Sequence, residues 1–288
     1  MADFGTSSTH REVVHGDAFA WLAARESFGT STCVVTSLPD RSELRGVPAP
    51  LEEGEGGAAS NPASLRADEL MSVEAYERWI ENTARTLVEK LDKDCAAIFY
   101  QTDTRSIDDG YIDKGYFVTK GARSAGAAML FHKIVLRAPP DCPTSGLNAS
   151  FSHLLAFGSP KGCAFPAPTG PGARSCPDVC SKGAADWPKG TGPLAASHAV
   201  RYLRDGLQCA TIIDPFCGTG AVLAVAEALG CSSVGVELNK GRARQALGLQ
   251  AQKVKGGGFE LVRPREGTTQ RANGKSEGGA RETQKGDA

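Results

Sequence analysis

The segment from residue 211 to residue 222, which reads TIIDPFCGTGAV, constrains the fold of this chain more than any other. It contains a hydrophobic strand that ends at Asp214, a turn with Gly218 and Gly220, and the start of an apolar helix. Glycines in such a turn let the backbone approach a ligand closely, and the amides at the helix start favour polar or anionic groups. A strand that leads through a short turn directly into a helix predicts an α/β protein with a ligand site at that turn.

Apolar periodicity along the rest of the chain agrees with this fold class. Residues 73–91 repeat apolar side chains at the i, i+3, i+4, i+7 spacing of an amphipathic helix. Strands that alternate with helices predict a doubly wound, mostly parallel α/β sheet. The predicted strands are 12–15, 32–36, 95–100, 129–136, 152–157, 210–214 and 233–237, and the predicted helices are 18–24, 73–91, 111–125, 194–203, 221–229 and 240–254.

Three segments differ in composition from this alternating part, which we interpret as one domain spanning residues 1–262. Residues 41–66 include a stretch rich in Pro, Gly and Glu without any period and are predicted to form a mobile loop. Residues 139–192 hold most of the prolines and several cysteines, and predict an irregular insertion around a single strand. Residues 263–288 contain almost no apolar side chains and are predicted to be a disordered tail.

Glu237 ends the strand that follows the glycine turn. An acidic side chain at this place in a dinucleotide-binding fold accepts hydrogen bonds from ribose hydroxyls. The turn is not G-x-G-x-x-G, because Ala221 and Val222 follow Gly220, so an adenosyl ligand fits better than a pyrophosphate cofactor such as NAD. A Gly-rich turn alone is weak evidence, since Asp214 would also serve as a simple turn cap.

These residues resemble a known family. Residues 214–220, DPFCGTG, are similar to the D-P-F-x-G-[ST]-G box with which the amino-methyltransferases of nucleic acids bind S-adenosylmethionine, and residues 235–237, GVE, resemble the G-[IV]-E that follows it. Asp17 stands in a His-Gly-Asp that resembles the family's opening G-D, and residues 34–40 resemble the strand leading to its [DNS]-P-P-[FYW] tetrapeptide. Because the tetrapeptide precedes the cofactor box, the order resembles that of the beta class, the N4-cytosine and N6-adenine enzymes.

The resemblance implies a Rossmann-like sheet of the class I methyltransferase type with a circularly permuted strand order. In that order strand 12–15 is the family's third strand and strand 233–237 its second, so the two pair at one edge of the sheet. The resemblance also implies S-adenosyl-L-methionine as cofactor, with Asp17 at the adenine, Glu237 at the ribose and Thr191 in the segment that cradles the methionine end. The other implied cofactor residues, which shape the pocket, are Asp214, Phe216, Gly218 and Gly220.

The chain departs from the family at the catalytic tetrapeptide, which here reads Ser37-Leu38-Pro39-Asp40. In the family, the first side chain and the next carbonyl accept hydrogen bonds from an exocyclic amino group, and the final aromatic stacks on a flipped base. Ser37 and the Leu38 carbonyl can still perform the first task, and Asp40 offers a carboxylate in place of the ring, so Ser37, Pro39 and Asp40 are the predicted catalytic residues. A plain strand-to-loop turn is the alternative. Displaced stacking platforms are open at Tyr100, Tyr111 and Tyr116.

The charge balance limits how a nucleic acid would be bound. Lys and Arg number 32 against 33 Asp and Glu, for a net charge of -1, so any contact with phosphates requires a local patch. One cluster of basic side chains falls inside the predicted fold and is the candidate patch, with a solvated surface as the alternative. It comprises Lys114, Lys120, Arg123, Lys133 and Arg137.

The chain has nine cysteines, an odd number, and its first residues do not resemble a cleavable apolar leader. Both observations predict reduced thiols and a cytoplasmic location, with the nucleus not excluded. The longest apolar run, residues 221–229, is far shorter than the roughly 18 residues of a transmembrane helix. Cys142, Cys163, Cys176 and Cys180, with His153, suggest a zinc site only weakly, because the three-residue spacing of Cys176 and Cys180 has no second closely spaced cysteine pair to match it, and no metal is predicted.

The preferred function is therefore methylation of an exocyclic amino group of a nucleic-acid base. RNA is slightly favoured over DNA, because no insertion is long enough for an obvious DNA target-recognition domain. Two alternatives remain open: a methyltransferase that acts on a small molecule or a protein, and a catalytically silent homologue that binds the cofactor or RNA and supports a partner.

Overall fold

A computed structural model describes residues 9–44, 70–106, 110–142, 144, 149–163, 177–186 and 189–263. Its strands are β1 (Arg11–His15), β2 (Thr32–Thr36), β3 (Ala96–Gln101), β4 (Thr104–Ser106), β5 (Gly110–Ile112), β6 (Met129–Leu136), β7 (Phe151–Gly158), β8 (Val179–Ser181), β9 (Thr211–Asp214), β10 (Ser232–Glu237), β11 (Gln250–Lys253) and β12 (Phe259–Val262). Its helices are α1 (Ala18–Ala23), α2 (Val73–Glu89), α3 (Lys114–Ser124), α4 (Pro193–Arg201), α5 (Ala221–Ala228) and α6 (Lys240–Gly248), with a 3-10 turn at Arg41–Glu43 and a π-helical turn at Tyr202–Gly206.

Eight strands form one mostly parallel sheet in the order β1-β10-β9-β2-β3-β7-β6-β8. All neighbours pair in parallel except β7, which runs antiparallel to both β3 and β6. Every residue of β2 and of β3 is buried, which is typical of parallel strands covered on both faces. The predicted α/β sheet is thus confirmed.

Helices cover both faces of the sheet. On one face α2 packs against α3, and Trp79 of α2 contacts Phe19 of α1 with ring centroids 5.8 Å apart. On the other face α5 packs between α4 and α6. The sheet is therefore doubly wound, and its core lies in the two layers between sheet and helices.

The first and the tenth strand pair at one edge of the sheet, as the permuted order predicts. β1 runs parallel to β10 with Arg11 opposite Ser233 and His15 opposite Glu237. The Arg11 guanidinium also donates to the Ala246 carbonyl at 3.0 Å, which ties β1 to α6. The early strand is thereby built into the sheet by residues near the far end of the described chain.

Two predicted helices are wrong at one end. The helix predicted for 111–125 begins at Lys114, because β5 pairs with β4 and Asp113 then caps the helix by accepting a hydrogen bond from the Tyr116 amide at 2.7 Å. The helix predicted for 240–254 ends at Gly248, because Leu249 is extended and β11 pairs with β12 in a hairpin.

The segments of unusual composition are only partly described. In 41–66, Arg41–Glu43 form a 3-10 turn and residues 45–66 lie outside the described residues. The insertion 139–192 contains β7 and also a strand that the prediction missed, β8, which extends the sheet beside β6. Of the tail, residues 264–288 lie outside the described residues, so the domain boundary stays a prediction. No described helix is long and apolar enough to span a membrane.

Candidate active site

A cavity of about 530 Å³ opens at the carboxyl edge of the sheet. Chain connections run from β9 toward β10 in one direction and from β2 toward β3 in the other, so β9 and β2 flank a topological switch point, where ligands bind in open α/β sheets. All the predicted site residues except Gly220 line this cavity: Asp17, Ser37, Pro39, Asp40, Thr191, Asp214, Phe216, Gly218 and Glu237.

Asp214 ends β9 at the bottom of the cavity and is only 3% exposed. Its Oδ1 accepts hydrogen bonds from Thr36 Oγ1 at 2.7 Å and from the Phe216 amide at 3.2 Å, across the switch point. Burial raises the pKa of Asp214 to about 7. The two hydrogen bonds lower this pKa by less than burial raises it, and the nearby Glu237 carboxylate adds a smaller increase. A buried carboxyl that is only half ionised at neutral pH is suited to binding a cationic group, because the cation would restore its charge.

The two glycines of the turn have different roles. Gly218 and Gly220 both have positive φ, 55° and 88°, which side-chain-bearing residues rarely adopt. A Cβ at Gly218 would meet nothing within 4 Å, whereas a Cβ at Gly220 would lie 2.8 Å from the Cβ of Ala246. Gly220 therefore lets α5 pack against α6, whereas Gly218 faces open space, and a role of Gly220 in shaping the cofactor pocket stays a prediction.

Glu237 is the last residue of β10, and its side chain holds the glycine turn that follows the neighbouring strand β9. Its Oε2 accepts from the Gly218 amide at 3.0 Å, and its Oε1 accepts from the Asn239 amide at 2.7 Å. Each carboxylate oxygen can accept a second hydrogen bond, so the residue is able to bind a hydroxyl pair while holding the turn.

Asp17 and Thr191 both border the cavity. Asp17 is exposed and caps α1, since its Oδ1 accepts from the Ala20 amide at 2.8 Å. Thr191 is buried directly before α4. The following Gly192 must be a glycine, because a Cβ there would lie 2.1 Å from the Lys182 carbonyl oxygen. This close approach fixes the Thr191 segment against the strand end of β8.

Three aromatic rings, two of which the sequence analysis did not assign to the site, form one wall of the cavity. Phe19, Trp79 and Phe216 all line it, with Phe216 5.9 Å from Trp79 and 6.1 Å from Phe19 between ring centroids. Trp79 belongs to the hydrophobic core as well, because its ring is only 1% exposed.

The tetrapeptide is held by three different elements. Lys114 Nζ of α3 donates to the Leu38 carbonyl at 3.0 Å, and the Tyr76 hydroxyl of α2 donates to the Pro39 carbonyl at 2.8 Å. The Asp40 amide donates to Glu43 Oε2 at 3.0 Å. The Lys114 and Tyr76 contacts tie the tetrapeptide to two helices, and the Glu43 contact belongs to the local capping box of the 3-10 turn.

Asp40 is bound by two lysines. Its Oδ1 lies 3.1 Å from Lys114 Nζ and its Oδ2 lies 2.9 Å from Lys189 Nζ. Burial alone would raise the pKa of Asp40, but the two ammonium groups outweigh burial and lower it below its usual value. Burial would lower the pKa of Lys114, but Tyr76 and Asp40 outweigh it and raise that pKa. Both partners are thus charged at neutral pH.

The predicted basic patch is not one surface. Lys114 is only 2% exposed and belongs to the site, which contradicts its placement on a solvent face. Lys120 is exposed and pairs with Glu81, Lys133 pairs with Asp178, and Arg123 is exposed elsewhere on α3. Of the predicted patch, Lys114 and Arg137 lie at the tetrapeptide: both border a second, smaller cavity beside Ser37.

The three candidate stacking tyrosines differ in exposure. Tyr100 is 1% exposed, so its proposed stacking role is wrong. Tyr111 and Tyr116 are 51% and 56% exposed on β5 and α3. Tyr111 donates its hydroxyl proton to Asp103, which fixes the ring at the end of β3.

Asp103, Asp113 and His153 form the one group within the described residues whose atoms are close enough to hold a metal ion. Those atoms already have partners: His153 Nε2 lies 2.9 Å from Asp103 Oδ2, and His153 Nδ1 lies 2.9 Å from His132 Nε2. Asp103 Oδ1 also accepts from the Gly115 amide at 3.3 Å. The cluster therefore fixes the start of α3, and with it Lys114.

The cysteines are spread through the described part of the chain. Cys142 is exposed, Cys163 half-buried and Cys180 buried, and the three do not come together in a group able to hold a metal. Cys176 lies outside the described residues. Burial raises the pKa of Cys217 in the glycine turn well above its usual value, so this thiol is inert.

Solved structures with a similar fold include proteins named as DNA methylases or methyltransferases. A Thermus thermophilus protein assigned as a DNA modification methylase, complexed with S-adenosyl-L-methionine, matches with a TM-score of 0.56 and 20% identity over 83% of this chain and 91% of that chain. The PvuII DNA methyltransferase, which is cytosine-N4-specific, matches with a TM-score of 0.57 and 12% identity over 84% of this chain and 86% of that chain.

No protein-family model matches the chain, and no curated protein matches it in sequence. At such low identities the likeness shows the fold alone. The chain has the class I methyltransferase type of sheet that the resemblance implies.

Proposed function

We propose that the protein is an S-adenosyl-L-methionine-dependent methyltransferase that methylates an exocyclic amino group of a nucleic-acid base, with RNA slightly favoured over DNA as the acceptor. The observation that carries the proposal is the meeting, at the switch point, of the glycine turn, the Glu237 carboxylate and the Ser37 tetrapeptide around one cavity. The neighbours of the same fold are named as DNA methylases, which supports a nucleic-acid acceptor.

The residues present fit this cofactor. A cavity of about 530 Å³ lies in the usual range for small-molecule sites, and a Cβ at Gly218 would point into open space beside Glu237. Asp214 is a buried carboxyl whose raised pKa favours a cationic ligand group. Glu237 would hold the ribose, Asp17 the adenine, and Asp214 and Thr191 the methionine end. Bound there, the cofactor supplies an electrophilic sulfonium methyl group.

On the acceptor side, Ser37 orients the nucleophile. Ser37 lines the cavity, and its hydroxyl has no hydrogen-bond partner among the described residues, so the hydroxyl lone pairs can accept from an N–H donor. The Leu38 carbonyl accepts from Lys114 and retains one lone pair for the same amino group. Alignment of the nitrogen with the methyl group and exclusion of water by the aromatic wall supply most of the rate.

Asp40 positions the acceptor electrostatically. Its lowered pKa and its two lysine partners make it a weak base, so the proton that the acceptor nitrogen loses after methyl transfer would pass to water rather than to Asp40. Because Asp40 cannot stack on a flipped base, Tyr111 and Tyr116 are the described aromatic side chains that remain exposed for this role.

Calorimetry with S-adenosylhomocysteine tests the cofactor half of the proposal. Glu237→Gln is expected to weaken binding by about 1.5–3 kcal/mol, because charge-assisted hydrogen bonds to the ribose are lost. The matched control is Glu89→Gln, an exposed residue of α2 that pairs with Arg85 and lies outside the cavity. Equal dissociation constants for both variants would exclude Glu237 from the site.

Release of S-adenosylhomocysteine with separate acceptors tests the second half. Cellular RNA, DNA and a metabolite extract are each supplied with the cofactor, and RNA is expected to give the largest release. Turnover with metabolites alone would replace the nucleic-acid acceptor by a small molecule. Cofactor binding without turnover on any acceptor would indicate a catalytically silent homologue.

A further inference from the structure

A second cavity adjoins the acceptor side of the site and has no part in the mechanism above. It measures about 40 Å³ and is lined by Ser37, Asp40, Thr102, Lys114, Arg137 and Lys189. One water-sized group occupies about 10–15 Å³ of such a cavity, so the second cavity can hold about three oxygen-sized atoms. Ser37, Asp40 and Lys189 also line the main cavity, so the two spaces share a wall.

Strand ends bring the polar groups of this cavity together. Thr102 directly follows β3 and Arg137 directly follows β6, and these two strands run in the same direction because β7 is antiparallel to both. Their carboxyl ends therefore lie at the same sheet edge as Ser37, which follows β2. Thr102 Oγ1 lies 2.6 Å from Ser152 Oγ, which fixes the position of this hydroxyl.

The cations in the second cavity outnumber the anions. Lys114 and Lys189 each take one oxygen of Asp40, the one carboxylate that lines the cavity. The Arg137 guanidinium has neither an ion pair nor a hydrogen bond with any described residue. Lys182 is buried nearby, and burial together with the Arg137 charge lowers its pKa to about 8. Among the described residues, three cationic side chains thus line the cavity together with one carboxylate.

We propose that this cavity binds a phosphate group of the methyl acceptor, held by Arg137 and Lys189 beside Ser37. A guanidinium binds phosphate through two parallel hydrogen bonds, and a lysine ammonium adds a point charge. The assignment of the phosphate to the acceptor rests on the proposed function. The binding of the anion itself rests only on the cavity and its charges.

Titration with inorganic phosphate tests the site on the full-length protein saturated with S-adenosylhomocysteine, at constant ionic strength set with sodium chloride. Phosphate is expected to bind the wild type at one site. Arg137→Gln and Lys189→Gln are each expected to weaken binding at least about tenfold, which is the scale of a lost charge-assisted contact. The matched control is Arg123→Gln on α3, which lies outside both cavities and is expected to bind as the wild type does.

The outcomes separate this proposal from the previous one. Equal phosphate affinity in Arg137→Gln and Arg123→Gln, or no binding to the wild type, would overturn the phosphate site while leaving cofactor binding intact. Failure of S-adenosylhomocysteine to bind would overturn the proposed function, and the phosphate titration would then be repeated on the protein alone. A competition experiment tests whether the phosphate belongs to the acceptor. An RNA oligonucleotide is expected to displace bound inorganic phosphate, and a nucleoside without a phosphate group is not.

Discussion

Replacement of Asp214 by Asn is expected to stabilise the protein at the expense of cofactor affinity. The carboxyl is 3% exposed and burial raises its pKa from 3.8 to about 7. The folded state therefore keeps a proton that the unfolded chain has lost, and this contribution to stability is full below the unfolded pKa and is lost as the pH rises through about 7. A shift of about three units at 1.36 kcal/mol each corresponds to a loss of about 4 kcal/mol above that pH.

Asn at this position can still accept the hydrogen bonds from Thr36 and Phe216 but does not titrate. The difference in unfolding free energy between Asp214→Asn and the wild type should therefore grow by about 2–3 kcal/mol between about pH 5 and pH 8. Urea denaturation of both proteins across this range measures it.

The matched control is Asp178→Asn, whose carboxyl is exposed and has its pKa lowered by Lys133, so it does not titrate in this range. Parallel stability profiles for Asp214→Asn and the wild type would refute the reasoning. They would mean that Asp214 ionises like an exposed carboxyl. A larger dissociation constant for S-adenosylmethionine in the same variant, measured at about pH 8, would show that the buried Asp214 carboxylate contributes to binding of the cofactor.

Further substitutions test the tetrapeptide and the glycine turn. Asp40→Asn should lower turnover by about a hundredfold, the scale of a misplaced acceptor, while the affinity for S-adenosylhomocysteine stays unchanged. An equal loss in turnover and in affinity would mean that Asp40 supports the cofactor pocket instead. Asp40→Tyr should lose activity, because the added ring leaves Lys114 buried without its carboxylate, and retained activity would contradict this. Gly220→Ala should lower the free energy of unfolding, measured by urea denaturation, by about 2–4 kcal/mol, because the new Cβ would lie against Ala246. Gly218→Ala should lower it by only about 1 kcal/mol but should measurably weaken cofactor binding. Identical behaviour of the two alanine variants would remove the division of roles between the glycines.

The sheet was predictable because its determinants are local. Apolar runs such as residues 129–136 match the observed β6, and the position of Asp214 and the glycine turn follows from adjacent residues in the chain. The edge pairing of β1 with β10 came from the resemblance, since no local pattern carries it.

The cationic side of the site was not predictable, because it is assembled from distant strand ends. Lys114 looks like any surface lysine in the sequence, and its burial depends on Asp40, 74 positions away. The β8 strand was missed because three residues between segments of irregular composition carry no readable period. Helix α6 was overextended because the polar residues after Gly248 do not reveal that they pair with β12.

The pairing of the first strand with the tenth has a consequence for synthesis. The His10 amide donates to Ser232 Oγ across 222 positions, so the partners of β1 leave the ribosome long after β1 itself. At about 5–20 residues per second, β1 waits about 10–45 seconds with its backbone groups unpaired. During that interval the nascent chain exposes a strand able to pair with another chain, so expression yield should depend on chaperone supply more than the stability of the finished protein would suggest.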